Sequence, residues 1–184
     1  MKVQAQTGFS LLELLVALFV VVLVASLVSL TISSGGQDIE LQARVRNLGE
    51  VAAYALDEAQ LTGRDYGLLL SQDRIDGETV YRYDWRERLP EGWHLPASGK
   101  DVFLGQALPA GIELQLELED SALAEIAAKE LDGELSPQVI FYASGETTAG
   151  LLEVRRQVGG ELLWRIEWDL LGRFTLLPRG EEAE

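Results

Sequence analysis

One stretch limits the folds open to this chain more than any other. Residues Leu14 to Ile32 form an apolar run with no charged side chain, and none follows until Asp38. A single carboxylate, Glu13, stands at the start of the run. As a helix rising about 1.5 Å per residue, the run is roughly 28 Å long, close to the hydrocarbon thickness of a bilayer. An acid inside a spanning helix costs about 2.5–3.5 kcal/mol, so such a residue usually has a dedicated partner. A cleaved secretory signal would need a shorter apolar stretch and a basic start, whereas only Lys2 precedes this one. A plain anchor would explain the length but not Glu13.

The residues around the acid form a further pattern. A short polar leader, Met1 to Gly8, is followed by Phe9, Ser10-Leu11-Leu12, Glu13 and Leu14-Leu15-Val16. This order, with a glutamate fifth from a phenylalanine and a long apolar helix behind it, resembles the class III signal of type IV pilins and type II secretion pseudopilins. The resemblance implies a prepilin peptidase that cuts between Gly8 and Phe9 and methylates the new amine of Phe9. It also implies that Glu13 pairs with the N-terminal amine of a neighbouring subunit during filament assembly. An isolated carboxylate in apolar surroundings is strongly destabilised, and one that faces an ammonium much less so.

Composition narrows the compartment and the chemistry. The 184-residue chain carries 30 Asp and Glu against 15 Lys and Arg, a formal net charge of −15. That balance weighs against a nucleic-acid partner, because phosphate binding depends on Lys and Arg. There is no cysteine, which excludes a disulfide framework and thiolate metal sites. The one histidine, His94, lies in a proline-flanked loop without a second His beside it. No G-x-S-x-G, phosphate-binding glycine loop or H-E-x-x-H occurs. No cofactor, metal or catalytic residue is expected.

Beyond the apolar run, Ser33-Ser34-Gly35-Gly36 is expected to lie within a continuing helix. A helical stripe resumes at once: Leu41, Val45, Leu48, Ala52, Ala55 and Ala59 recur at spacings of four and three and define one apolar face. Thr62-Gly63 supplies the stop. The period then changes to two. Tyr66 to Leu70 and the alternating segment Val80 to Arg86 read as a hairpin about Asp76-Gly77. Leu89 to Leu108 reads as loop with short extended pieces, pinned to the core by Trp93 and Val102-Phe103-Leu104. Its position makes it a candidate contact surface.

Ile112, Leu114, Leu116 and Leu118 alternate with Glu113, Gln115, Glu117 and Glu119, a half-buried strand. Asp120 reads as the N-cap of a short helix, Ala122 to Leu131, closed by Asp132-Gly133. Strands are then expected at Val139 to Tyr142, Leu151 to Arg156, Leu162 to Asp169 and Phe174 to Leu177, with a hairpin turn at Gly159-Gly160.

One helix followed by about seven strands gives an α+β class, a long N-terminal helix packed on antiparallel β-sheet. The expected organisation is a leader peptide at 1–8, a transmembrane helix at 9–34 and its amphipathic continuation at 35–62. A β-rich periplasmic globular domain at 63–178 and an acidic tail at 179–184 complete it. Gly63-Arg64-Asp65-Tyr66-Gly67-Leu68, the tyrosine-rich strand ending in Trp85, and Pro137-Gln138-Val139 leading to Ser144-Gly145-Glu146 resemble the H-type minor pseudopilin. That resemblance implies a non-enzymatic subunit at or near the tip of the secretion pseudopilus, in the bacterial inner membrane with its globular domain in the periplasm. Implied partners are the I, J and K minor pseudopilins, the major pseudopilin, the prepilin peptidase, inner-membrane lipid and an exported cargo. A minor type IV pilin or DNA-uptake pseudopilin is the alternative.

Overall fold

The computed structural model describes residues 11–75, 77–97, 100–119, 121–124, 126–128 and 136–181; within 24–35, 121–124 and 127–128 only the backbone is described. The chain divides into two units, Met1–Glu40 and Leu41–Glu184.

Helix α1 (Leu11–Thr62) is assigned without interruption through residues 33–36. In the second unit its stripe is buried as its spacing demands: Leu41, Val45 and Leu48 are at most 5% exposed, and Ala52, Ala55 and Ala59 are fully buried. Gly63 ends the helix in the left-handed region, at φ 69°, where its amide donates to the Ala59 carbonyl at 2.9 Å. That is the geometry for which glycine is favoured at this position.

The strands among the described residues form two sheets. The first is built on the hairpin of β1 (Tyr66–Ile75) and β2 (Glu78–Leu89), paired in register from Tyr66 with Glu87 to Ile75 with Glu78. Two short pieces extend β2: β3 (Gly92–His94) and β4 (Gln106–Ala107). Between them a 3-10 turn, Asp101–Phe103, buries Phe103 among Tyr54, Tyr66 and Trp85 with ring centroids 5.3–6.0 Å apart. Leu104, expected to help pin this segment, is 62% exposed; the turn directs Phe103 inward and leaves its neighbour in solvent. Trp93 lies over Arg88, 5.3 Å from its guanidinium, and against Gly67.

The second sheet is five-stranded. Its central strands are β5 (Ile112–Leu118), β9 (Gly150–Arg156) and β10 (Leu162–Trp168), with β11 (Phe174–Pro178) on one edge and β6 (Ser121–Ala124) on the other. Ile112, Leu114, Leu116, Leu152, Val154, Ile166 and Trp168 share the core with the α1 stripe and with Tyr66, Leu68, Tyr83 and Trp85. At about 1.5–3 kcal/mol per fully buried large side chain, this single core is the main stabilising element of the second unit. The β9–β10 hairpin turns at Gly159 and Gly160, both at positive φ, as expected.

The helix expected at Ala122 to Leu131 is not formed in the residues described there. Residues 121–124 are β6, paired with β5, and β7 (Ala127–Ala128) pairs in parallel with Ser71 and Gln72 of β1. The alanine-rich composition favours a helix, but each piece satisfies an otherwise open strand edge, and tertiary pairing overrides a propensity of a few tenths of a kcal/mol per residue. Asp120, the expected cap, and residues 129–135 lie outside the described residues. On the same edge of β1, Gln138 completes the ladder between β7 and β8 (Val139–Phe141). Its side-chain amide donates to the Leu70 carbonyl at 3.0 Å, and its oxygen accepts from the Leu70 amide at 2.8 Å.

Candidate functional site: an exposed apolar helix and a surface clamped by ion pairs

Two of the three residues singled out by the sequence, Gly8 and Phe9, lie outside the described residues. The third, Glu13, sits on α1 in an exposed position. Its neighbours decide what the segment can do. Leu11, Leu12, Leu14, Leu15, Leu18 and Phe19 are 61–83% exposed, and the valines that follow, Val20 to Val22, are at least half exposed. These side chains point in every direction around the helix, and a helix apolar on all sides is stable only in a non-aqueous or protein environment. Among the described residues no helix is long and apolar enough to cross a membrane. The side chains of 24–35, the second half of the apolar run, lie outside that description.

In the second unit the sequence pattern missed a set of acids that clamp the surface. Glu58, on α1, accepts from Tyr54 Oη at 2.9 Å and from Lys100 Nζ at 3.0 and 3.1 Å; Lys100 also bonds the Tyr54 hydroxyl. The Lys100 hydrogen bond, followed by that of Tyr54, holds the Glu58 carboxyl below its ordinary value. Glu87, 2% exposed, takes Arg64 Nη1 at 2.7 Å and the Ala97 amide at 2.8 Å. Together they tie Ala97 to the hairpin and Lys100 to Tyr54 and Glu58 of α1. Lys100 lies 42 positions from Glu58 and Arg64 lies 23 from Glu87, so no local spacing could reveal these two ion pairs.

Burial pushes both Tyr66 and Tyr83 up to about 12, so each stays neutral at ordinary pH. His94 is exposed on β3. Among the described residues no three His, Cys, Asp or Glu side chains are grouped to hold a metal ion. The described residues thus present an exposed apolar stretch of helix and a surface held by ion pairs.

Comparison with known proteins bears on that reading. The family described as the prokaryotic N-terminal methylation motif matches residues 4–34. The type II secretion system protein H of Aeromonas hydrophila is 30% identical over 191 residues, spanning all of both chains. The chain belongs to the type II secretion system protein H family. The protein H of Pseudomonas aeruginosa is 29% identical over 147 residues, covering 78% of this chain and 79% of its own. As a member of the family, the chain is a minor pseudopilin, a structural subunit of the secretion pseudopilus. Two structures of the minor pseudopilin EpsH of Vibrio cholerae share the fold. One aligns with a TM-score of 0.61 at 22% identity over 79% of this chain and 99% of that one. The other aligns with a TM-score of 0.56 at 23% identity over 77% and 99%. The pilin-like α+β architecture expected from the sequence therefore holds.

Proposed function

We propose that residues 9–34 hold this protein H in the bacterial inner membrane as a single span, with the globular domain in the periplasm. Prepilin peptidase removes residues 1–8 after Gly8 and methylates Phe9. Glu13 then pairs with the N-terminal amine of a neighbouring subunit as the chain enters the pseudopilus. The subunit works at or near the tip, beside the I, J and K minor pseudopilins and above the major pseudopilin, and it contributes to export by assembly without catalysing a reaction.

The observation that carries this reading is the exposed, all-round apolar surface of α1 beside Glu13, within a segment that matches the methylation motif. An acid buried among such side chains is costly alone and far less so opposite an ammonium, so correct stacking is favoured over other placements. The test is complementation of a strain lacking its own protein H. A Glu13→Ala chain should accumulate in the membrane at the wild-type level, yet fail to co-purify with the other pseudopilins and fail to restore export. Normal co-purification and export by that variant would contradict the reading.

A further inference from the structure

The turn between β10 and β11 departs from the usual chemistry of turns. Its tip carries two consecutive leucines, Leu170 and Leu171, 55% and 60% exposed, where Gly, Asn, Asp or Ser would be ordinary. The backbone beneath them is held firmly. Asp169 accepts from the amides of Leu171 and Arg173, each at 3.0 Å, and from Arg173 Nε at 2.6 Å. Thr147 donates its amide to the Leu170 carbonyl at 2.8 Å and its hydroxyl to the Asp169 carbonyl at 2.7 Å. Gly172, at φ 68°, lies where a Cβ would meet Leu56 at 2.6 Å. The two leucines are thus displayed by a turn that has little freedom to withdraw them.

They form one wall of a groove of about 530 Å³. Leu118 and Leu151, half-buried, line it further, and Gly150 is pressed so close to the Glu117 carbonyl that a Cβ there would approach it to 2.4 Å. Glu117 and Glu119, both exposed, complete the lining with Asp169 and Arg173. The Asp169 charge is matched by Arg173, at 2.5 Å. The carboxylates of Glu117 and Glu119 have no salt bridge within the described residues, so the rim is acidic around an apolar floor.

We infer that this groove docks a segment of another protein that presents an apolar side chain flanked by Arg or Lys. A second copy of this chain is disfavoured, because each copy carries a formal charge of −15 and would bring acid to an acid rim. A bare cation would leave the leucines exposed, and an uncharged apolar segment would leave Glu119 without a counter-charge and Glu117 with only the field of Arg165, which is already hydrogen-bonded to Glu153. Rigid apolar anchors inside a charged rim are the arrangement in which a few residues dominate binding. The inference extends past the assembly role, which rests on the N-terminal segment.

The test uses the full chain in zwitterionic micelles and three labelled peptides followed by fluorescence anisotropy, with empty micelles as the blank. Each peptide has a Leu-Leu centre, flanked by Arg, by Ser or by Glu. The Arg-flanked peptide should bind about tenfold tighter than the Glu-flanked one, and less tightly as salt is raised. A Glu117→Gln/Glu119→Gln chain should lose about fivefold of that affinity, as expected for two partly screened pairs. A Leu170→Ser/Leu171→Ser chain should lose binding altogether while keeping its unfolding midpoint, since both side chains are exposed. Equal binding of all three peptides, unchanged binding by either variant, or no binding at millimolar peptide would overturn the inference. Any of those results would leave the Glu13 and Phe9 reading untouched, because none of these residues takes part in it.

Discussion

The two sheets bury their residues in different ways. In the five-stranded sheet one face is core and the other is solvated. Along β10, Ile166 and Trp168 are buried while Glu167 is exposed, and along β5 the buried residues Ile112, Leu114 and Leu116 alternate with less buried ones. In the six-stranded sheet β1 is buried at six consecutive positions, Tyr66 to Ser71. Tyr66, Leu68 and Leu70 face the core; Gly67, on the opposite face, is covered by Pro137 and Trp93. The acids differ in the same sense. Glu87, 2% exposed, accepts from the Ala97 backbone amide as well as from Arg64, whereas Glu153, 8% exposed on β9, is held by the side chains of Arg155 and Arg165.

The largest effect expected from this difference lies beside the doubly covered strand β1, at Trp85 of β2, which pairs with Leu68. Trp85→Ala should destabilise the second unit by about 3–5 kcal/mol, read by chemical denaturation followed by far-ultraviolet circular dichroism. Glu117→Ala, on the solvated face of the other sheet, should stay within about 0.5 kcal/mol of wild type. Similar losses from both would remove the distinction between the sheets.

A smaller effect is expected from filling the one close approach on β9. In Gly150→Ala the new Cβ would meet the Glu117 carbonyl at 2.4 Å and the Trp168 ring at 3.2 Å. A backbone carbonyl cannot step aside as a flexible side chain can, so about 1–3 kcal/mol should be lost in the same assay. A neutral result would mean that the sheet relaxes there.

The smallest effect concerns Glu153. Burial alone would raise its carboxyl, but hydrogen bonds from Arg165, at 2.7 Å, and Arg155, at 2.8 Å, outweigh that and hold it below its ordinary value. A depressed folded value means that the stabilisation is fully present above the unfolded carboxylate value and disappears as pH falls through the folded one. Glu153→Gln should therefore cost about 0.5–1 kcal/mol at pH 7, allowing for solvent screening, and nothing once the wild-type carboxyl is protonated. Denaturation midpoints of the two chains followed from pH 7 down through the carboxylate range read it; a constant gap would assign the loss to packing.

The same contrast explains what could be read from the chain. The stripe from Leu41 to Ala59 and the alternation from Ile112 to Leu118 were legible because each element has one wet face, which imprints a period on the residues. At β1 both faces are dry and the period vanishes, so Tyr66 to Leu70 showed a strand but not what covers it. From Ala122 onward composition pointed to a helix, while the open edges of β5 and β1 took residues 121–124 and 127–128 as strands. The ion pairs of Glu58 with Lys100 and Glu87 with Arg64 join residues 42 and 23 positions apart and leave no local trace. Glu13 was legible for the opposite reason, since an acid bordering nineteen uncharged apolar or small residues is conspicuous with no structure at all.

The most direct test of the central claim is the intact mass and N-terminal sequence of the chain after co-expression with a prepilin peptidase. The account predicts a chain beginning at methylated Phe9, with that product abolished by Gly8→Ala. A chain that keeps Met1, or one cut after the apolar run, would contradict it.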